Sequence, residues 1–142
     1  MNTEKAYNSR VGFWLRVILT GLLVLVALAA GFFVFRMHSE GRIALREAKN
    51  VKLALMTADI EAYGAGTTIY APEKSDGLAG GVMEKVEKYA GVSEGVTLLE
   101  YDRKTREIRQ FTCKSPHYLV SYSYDGSEEL WTVDYLWRIF VY

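Results

Sequence analysis

The chain has 142 residues, half of them hydrophobic and 24% charged, with 17 basic side chains against 17 acidic ones. This balance excludes a disordered tail, a collagen-like chain and a disulfide scaffold, and it argues against a basic nucleic-acid-binding domain, so no nucleic-acid partner is expected. The single cysteine, Cys113, has no partner for an intramolecular disulfide and cannot alone build a zinc site.

The hydrophobicity is unevenly spread. After a basic segment, residues 1–16, the 19 residues 17–35 carry no charge. As a helix this run spans roughly 28 Å, close to the hydrocarbon thickness of a bilayer. Arg16 and Arg36 bracket it and can snorkel to the two interfaces, and Trp14 sits at headgroup level. The run therefore reads as a single transmembrane helix with lipid as its first partner. A cleaved signal peptide is the competing reading, from Lys5, Arg10, Arg16 and the small residues of Ala27-Leu28-Ala29. The apolar run nevertheless continues through Phe32, Phe33, Val34 and Phe35. Ala27 and Gly31 form a small-xxx-small pair, a candidate helix–helix contact in the membrane.

Residues 36–142 read as one soluble α+β domain. Ala44, Ala48, Val51, Leu55, Ala58 and Ala62 recur at spacings of 4, 3, 4, 3 and 4, which places them on one helix face. Leu53, Met56 and Ile60 are expected to widen that stripe, and charged Asp59 to lie off it. Gly64 and Gly66 are stop signals. The expectation is one helix over 13–63 with a bend at Gly41, half in lipid and half on the soluble domain. A loop over 64–76 follows, and Asp76 then reads as the N-cap of a helix over 77–90, closed by Gly91. Leu78, Val82, Val86 and Tyr89 or Ala90 supply its apolar side.

From residue 96 the pattern turns strand-like: 96–102, 106–114, 118–124 and 130–135, with Asp125-Gly126 marking a hairpin. Short connections favour an antiparallel four-stranded meander, buried under the stripe of the helix. Residues 136–142 extend the last strand or pair separately.

No His-Glu-x-x-His, Gly-x-Ser-x-Gly or phosphate-loop pattern occurs, so a non-enzymatic protein is expected, with no cofactor and no metal. His38 and His117 lack neighbours at metal-ligand spacing. Asp125, Ser127, Glu128 and Glu129 could offer oxygens to calcium, but the short loop reads as a solvated turn. Cys113 reads as a small buried hydrophobe. Ten of the 19 aromatic residues lie between Tyr101 and Tyr142. Tyr118, Tyr122 and Tyr124 are expected on one sheet face, in packing or cross-strand pairs. Trp137, Phe140 and Tyr142 are the candidate partner surface.

A membrane helix that runs on into a soluble helix and then a small antiparallel sheet resembles the type IV pilins and pseudopilins. Arg46-Glu47-Ala48-Lys49-Asn50-Val51-Lys52-Leu53-Ala54-Leu55 is similar to the helix after the membrane half in pilin-like proteins of Gram-positive bacteria. The family's processing motif is a basic residue, then Gly-Phe, then apolar residues with a Glu four positions after the Phe. Arg10-Val11-Gly12-Phe13-Trp14-Leu15 resembles its first part, which implies processing between Gly12 and Phe13. Here Val17 stands at the Glu position and Arg16 where an apolar residue is usual.

The resemblance implies a structural subunit of a pilus, pseudopilus or related secretion or DNA-uptake assembly, with other pilin-like subunits or a membrane assembly as partners. The alternative is an unprocessed single-pass anchor carrying a binding or regulatory domain. The positive-inside rule, with Arg36, Arg42, Arg46, Lys49 and Lys52 against Lys5, Arg10 and Arg16, favours a C-terminal domain inside. The resemblance implies the opposite: N-terminus cytoplasmic, C-terminal domain extracellular, at the cell membrane.

Overall fold

The structure is a computed structural model describing the backbone of residues 2–136 and the side chains of residues 11–136. The chain divides into two compact units, Met1–Ser39 and Glu40–Tyr142. One helix, α1 (Asn2–Gly64), begins in the first unit and supplies the first element of the second. It starts well before the expected residue 13 and continues through Gly41 as helix. A β-carbon added at Gly41 would meet only ordinary contacts, Tyr118 at 3.6 Å and Val133 at 3.8 Å.

The first unit is helix alone, and residues 17–35 are exposed throughout. A helix this apolar and this bare is long enough to cross a membrane.

The second unit is α+β. Its elements after α1 are α2 (Val82–Ala90), β1 (Val96–Asp102), β2 (Glu107–Lys114), β3 (Tyr118–Tyr124) and β4 (Glu129–Tyr135). The strands form an antiparallel sheet in the order β1-β2-β3-β4, as the short connections require. The whole spaced stripe of α1 is buried: Ala44, Ala48, Val51, Leu55, Ala58 and Ala62. Its alanines let the helix backbone come close to the sheet. Opposite them lie Val96 and Leu98 of β1, Ile108, Phe111 and Cys113 of β2, and Tyr118, Val120 and Tyr122 of β3. Tyr124 is only half-buried at the rim.

Two expectations are corrected. Leu53, Met56 and Ile60 do not widen the buried stripe; they are 62%, 46% and 71% exposed. The sheet covers one side of α1, and these residues point off it, while Ala54 fills the place beside Leu55.

Nor does Asp76 cap a helix. Its Oδ1 accepts the Leu78 N–H at 3.1 Å, closing a local turn, and its carbonyl accepts the Leu98 N–H at 2.8 Å. Leu78 bridges to Tyr70, so residues 70–79 form a strap along the β1 edge. Gly77 (φ 66°) and Gly81 (φ 80°) adopt left-handed backbone, and α2 begins only after the second. Gly77 is required there: a β-carbon would lie 1.9 Å from the Leu98 carbonyl oxygen. Val82 and Val86 are buried as expected, Ala90 packs on the core, and Gly91 (φ 71°) closes the helix. Tyr89 turns outward, its hydroxyl donating to Glu61 at 2.8 Å.

Candidate functional site

The first candidate surface is the bare apolar helix of the first unit. Its lone hydroxyl within 17–35, that of Thr20, donates to the Arg16 carbonyl at 2.8 Å, so the side chain satisfies its polar group on its own helix. Ala27 is exposed, and nothing lies within 4 Å of a β-carbon placed on Gly31, so this pair is open to a neighbouring helix. Gly12 is equally open, and Phe13 is 62% exposed with its ring edge-on to Trp14, 6.2 Å between centroids.

The second surface is the side of α1 that the sheet leaves uncovered. Leu53, Met56, Ile60 and Tyr63 follow one another at spacings of 3, 4 and 3, and form one exposed stripe. Next to it, between α1 and β2–β4, runs a groove of about 250 Å³ whose walls include Lys52, Met56, Ile60, Arg106, Tyr122 and Glu129.

The floor of the groove is polar and tightly built. Asp59 is only 8% exposed. Its Oδ1 accepts from the Tyr101 hydroxyl at 2.7 Å and from Arg106 Nη2 at 2.7 Å. Its Oδ2 accepts from Arg106 Nε at 3.2 Å, and its backbone carbonyl from Nη2 at 2.9 Å. The guanidinium also lies over the Tyr63 ring, 4.9 Å from its centroid. Arg106 takes a left-handed backbone (φ 58°) at the β1–β2 turn, a strained conformation that the three bonds to Asp59 help to hold. Burial, then the Asp59 carboxylate, pushes the Tyr101 phenol up to about 12.

Sequence reasoning placed Asp59 off the buried face. The signal that finds it is helical: it follows Leu55 by four residues, within the row of Val51, Leu55 and Ala62.

At the other end of the groove Lys52 pairs with Glu129 and lies 4.5 Å from the Tyr122 ring centroid. That hydrogen bond holds the Glu129 carboxyl below its ordinary range. Lys49 lies over Trp131, whose ring packs on Tyr122 at 4.7 Å and Phe111 at 6.0 Å. These contacts fasten β4 to α1. Every cation of this groove is thus engaged with a carboxylate or an aromatic ring, and no buried side-chain polar atom among the described residues lacks a hydrogen-bond partner. The arrangement is suited to holding the helix at a fixed position on the sheet and presenting its outer stripe.

The remaining candidates separate in space. Asp125 Oδ1 accepts from the Ser127 N–H (2.8 Å), the Ser127 hydroxyl (2.8 Å) and the Glu128 N–H (3.0 Å). The Glu128 and Ser127 bonds pull its carboxyl down to about 2. This oxygen is used by the turn itself, and among the described residues no three His, Cys, Asp or Glu side chains gather as a metal set. Cys113 is buried under α1, and burial, aided by the Glu47 charge, pushes its thiol up to about 11. His38 is exposed, and His117 stacks on Tyr135 at 6.5 Å. Trp137, Phe140 and Tyr142, the partner surface expected from sequence, lie outside the described residues. No known protein family, curated protein or solved structure matches this chain.

Proposed function

We propose that this protein is a non-enzymatic, membrane-anchored structural subunit of a type IV pilus, pseudopilus or related secretion or DNA-uptake assembly. In this reading residues 17–35 cross the cell membrane once, the N-terminus is cytoplasmic and the α+β unit lies outside. Other copies, or related subunits, are the partners.

The observation that carries the reading is the apolar stripe of Leu53, Met56, Ile60 and Tyr63, left bare on a helix whose opposite side is fully used by its own sheet. A domain that merely hangs from an anchor gains nothing from four large apolar groups in water. A subunit that packs laterally along α1 buries them, and buries the bare surface of residues 17–35 against neighbouring helices as well as lipid. The paired groove floor supports the same reading, since it fixes the helix that would make those contacts.

Val17 favours a second reading. In the family this resembles, a Glu at that place pairs with a neighbour's N-terminal amine and sets register; a valine makes no such pair. The alternative is an unprocessed anchor bearing a binding or regulatory domain. Mass spectrometry of the mature N-terminus, on protein from its native membrane, separates the two. A start at Phe13 with a methylated amine supports the subunit. An intact Met1 favours the alternative, and a start after Ala29 contradicts both.

A further inference from the structure

The two edges of the sheet are treated differently. The β1 edge is covered by the strap: the Leu98 N–H donates to the Asp76 carbonyl at 2.8 Å, and the Leu99 carbonyl accepts from the Tyr70 hydroxyl at 3.2 Å. β4 is the other edge, and among the described residues no strand or strap pairs with its outer side.

The register decides which backbone groups of β4 are open. Tyr135 stands opposite Tyr118, so Leu136 stands opposite His117, and the Leu136 N–H donates to the His117 carbonyl at 2.7 Å. In an antiparallel pair such bonded positions alternate along the strand. Asp134, Thr132 and Leu130 therefore bond to Leu119, Ser121 and Ser123 of β3. Glu129, Trp131 and Val133 turn the opposite way, each with one N–H and one C=O directed outward. The β3 backbone agrees, since the Tyr118 carbonyl is taken by the Ser115 N–H on the β2 side.

Natural sheet edges are guarded by proline, by lysine or by a bulge. β4 has no proline, lysine or arginine, and it pairs with β3 over its whole length without a register shift. The covered strand β1 is the irregular one, with shifts on either side of Glu100. On the α1 side of β4, Val133 keeps 37% of its surface and Trp131 is half-buried. Glu129 is answered by Lys52, while Glu128 and Asp134 are exposed.

We propose that β4 is a docking edge for an extended segment of a partner protein, added antiparallel as a fifth strand, with apolar residues opposite Trp131 and Val133 and basic residues beside Asp134 and Glu128. The backbone sets the class of occupant, because donors and acceptors alternating at strand spacing are matched by another strand. Apolar side chains at alternate positions of that segment cover the open sides of Trp131 and Val133. Basic side chains at the intervening positions meet the exposed carboxylates, which no cation of β4 offsets. This edge is separate from the stripe of α1, so the contact stands whether or not copies assemble laterally.

The test titrates the full, detergent-solubilised chain with the blocked peptide Lys-Val-Thr-Ile-Thr-Val-Lys, whose central Ile lies opposite Trp131 in this register. Amide exchange at Trp131 and Val133, read by NMR, is expected to slow at least about tenfold, with smaller changes at Thr132 and Asp134, already bonded to β3. N-methylation of the peptide Ile removes a donor aimed at β4 and is expected to weaken binding at least about tenfold. N-methylation of a neighbouring Thr, whose N–H points away, is expected to weaken it less than about threefold. The same core ended by Glu instead of Lys is expected to bind at least about fivefold more weakly. Equal sensitivity to the two methylations means contact without strand addition and overturns the proposal, as does absence of binding at millimolar peptide. Equal binding of the Glu-ended peptide overturns the basic partner. Protection of Trp131 and Val133 that grows with chain concentration in the absence of peptide makes the occupant a second copy, and also overturns the proposal.

Discussion

Arg106 Nη2 lies 2.7 Å from Asp59 Oδ1, joining residues 47 apart in sequence and tying the β1–β2 turn to α1. Asp59 is buried and Arg106 is partly buried, so the pair belongs to the class whose halves depend on each other. Asp59→Ala leaves a guanidinium and the Tyr101 hydroxyl without their acceptor. The expected cost is about 2–3 kcal/mol, below the full value for a buried pair because Arg106 retains some solvent. A double-mutant cycle with Arg106→Ala, read by thermal unfolding of the detergent-solubilised chain, is expected to return a coupling of about 1–2 kcal/mol. Additive single effects would show that the pair is incidental.

Gly77 and Gly80 make a controlled comparison three residues apart. Gly77 has a left-handed backbone and the Leu98 carbonyl in the way of any side chain, whereas a β-carbon at Gly80 meets only the Lys74 ammonium at 4.0 Å. Gly77→Ala is expected to cost at least about 2 kcal/mol by strain and displacement of the strap. Gly80→Ala is expected to be neutral within about 0.5 kcal/mol. Equal effects would contradict the role given to the strap.

The two sides of α1 are expected to respond oppositely to substitution. Leu55 is fully buried, and Leu55→Ala should cost about 2–5 kcal/mol through the lost contacts and the cavity. Ile60 is 71% exposed, so Ile60→Asp is expected to change stability by no more than about 0.5 kcal/mol and, under the proposed lateral assembly, to abolish association between copies. Unfolding and native gel migration, measured on the same preparations, check both statements.

The alternation of strand residues and the 4-3-4-3-4 spacing in α1 were sufficient to place the sheet and the buried face, because both patterns are local records of which side meets the core. The limits of Leu53, Met56 and Ile60 were not legible. An apolar residue beside a buried stripe carries the same letter whether it faces the core or a partner. Only the width of the sheet decides. Asp59 was missed for the converse reason: a charge within a buried row is credible only once Arg106 and Tyr101 are seen to reach it. The last part of the strap, 77–79, falls where the sequence predicts the start of a helix, because the turn chemistry of Asp76 and an N-cap use the same side-chain acceptor.

Stability is expected to fall on both sides of neutrality. In acid, Asp125 titrates near 2 in the folded chain against an ordinary 3.8, and Glu61, Asp102 and Glu129 are also held low. Folded values below unfolded ones stabilise above about pH 4, and that contribution is lost as pH falls toward about 2. In base, Cys113 and Tyr101 are raised to about 11 and about 12, so their contribution is complete below about pH 9 and is lost as pH rises through those values. Melting temperatures across pH 2–12 check the profile. Alkylation of Cys113 at pH 8 should be negligible until the chain is unfolded.

The most direct test of lateral assembly along α1 is a photo-reactive benzophenone amino acid in place of Ile60, irradiated in the native membrane. The account predicts crosslinks to other copies of this chain or to pilin-like subunits, with little yield from the same probe at Ser75, which is exposed on the strap far from the stripe in sequence. A chain that remains monomeric at position 60, or is captured only by proteins of another kind, would contradict it.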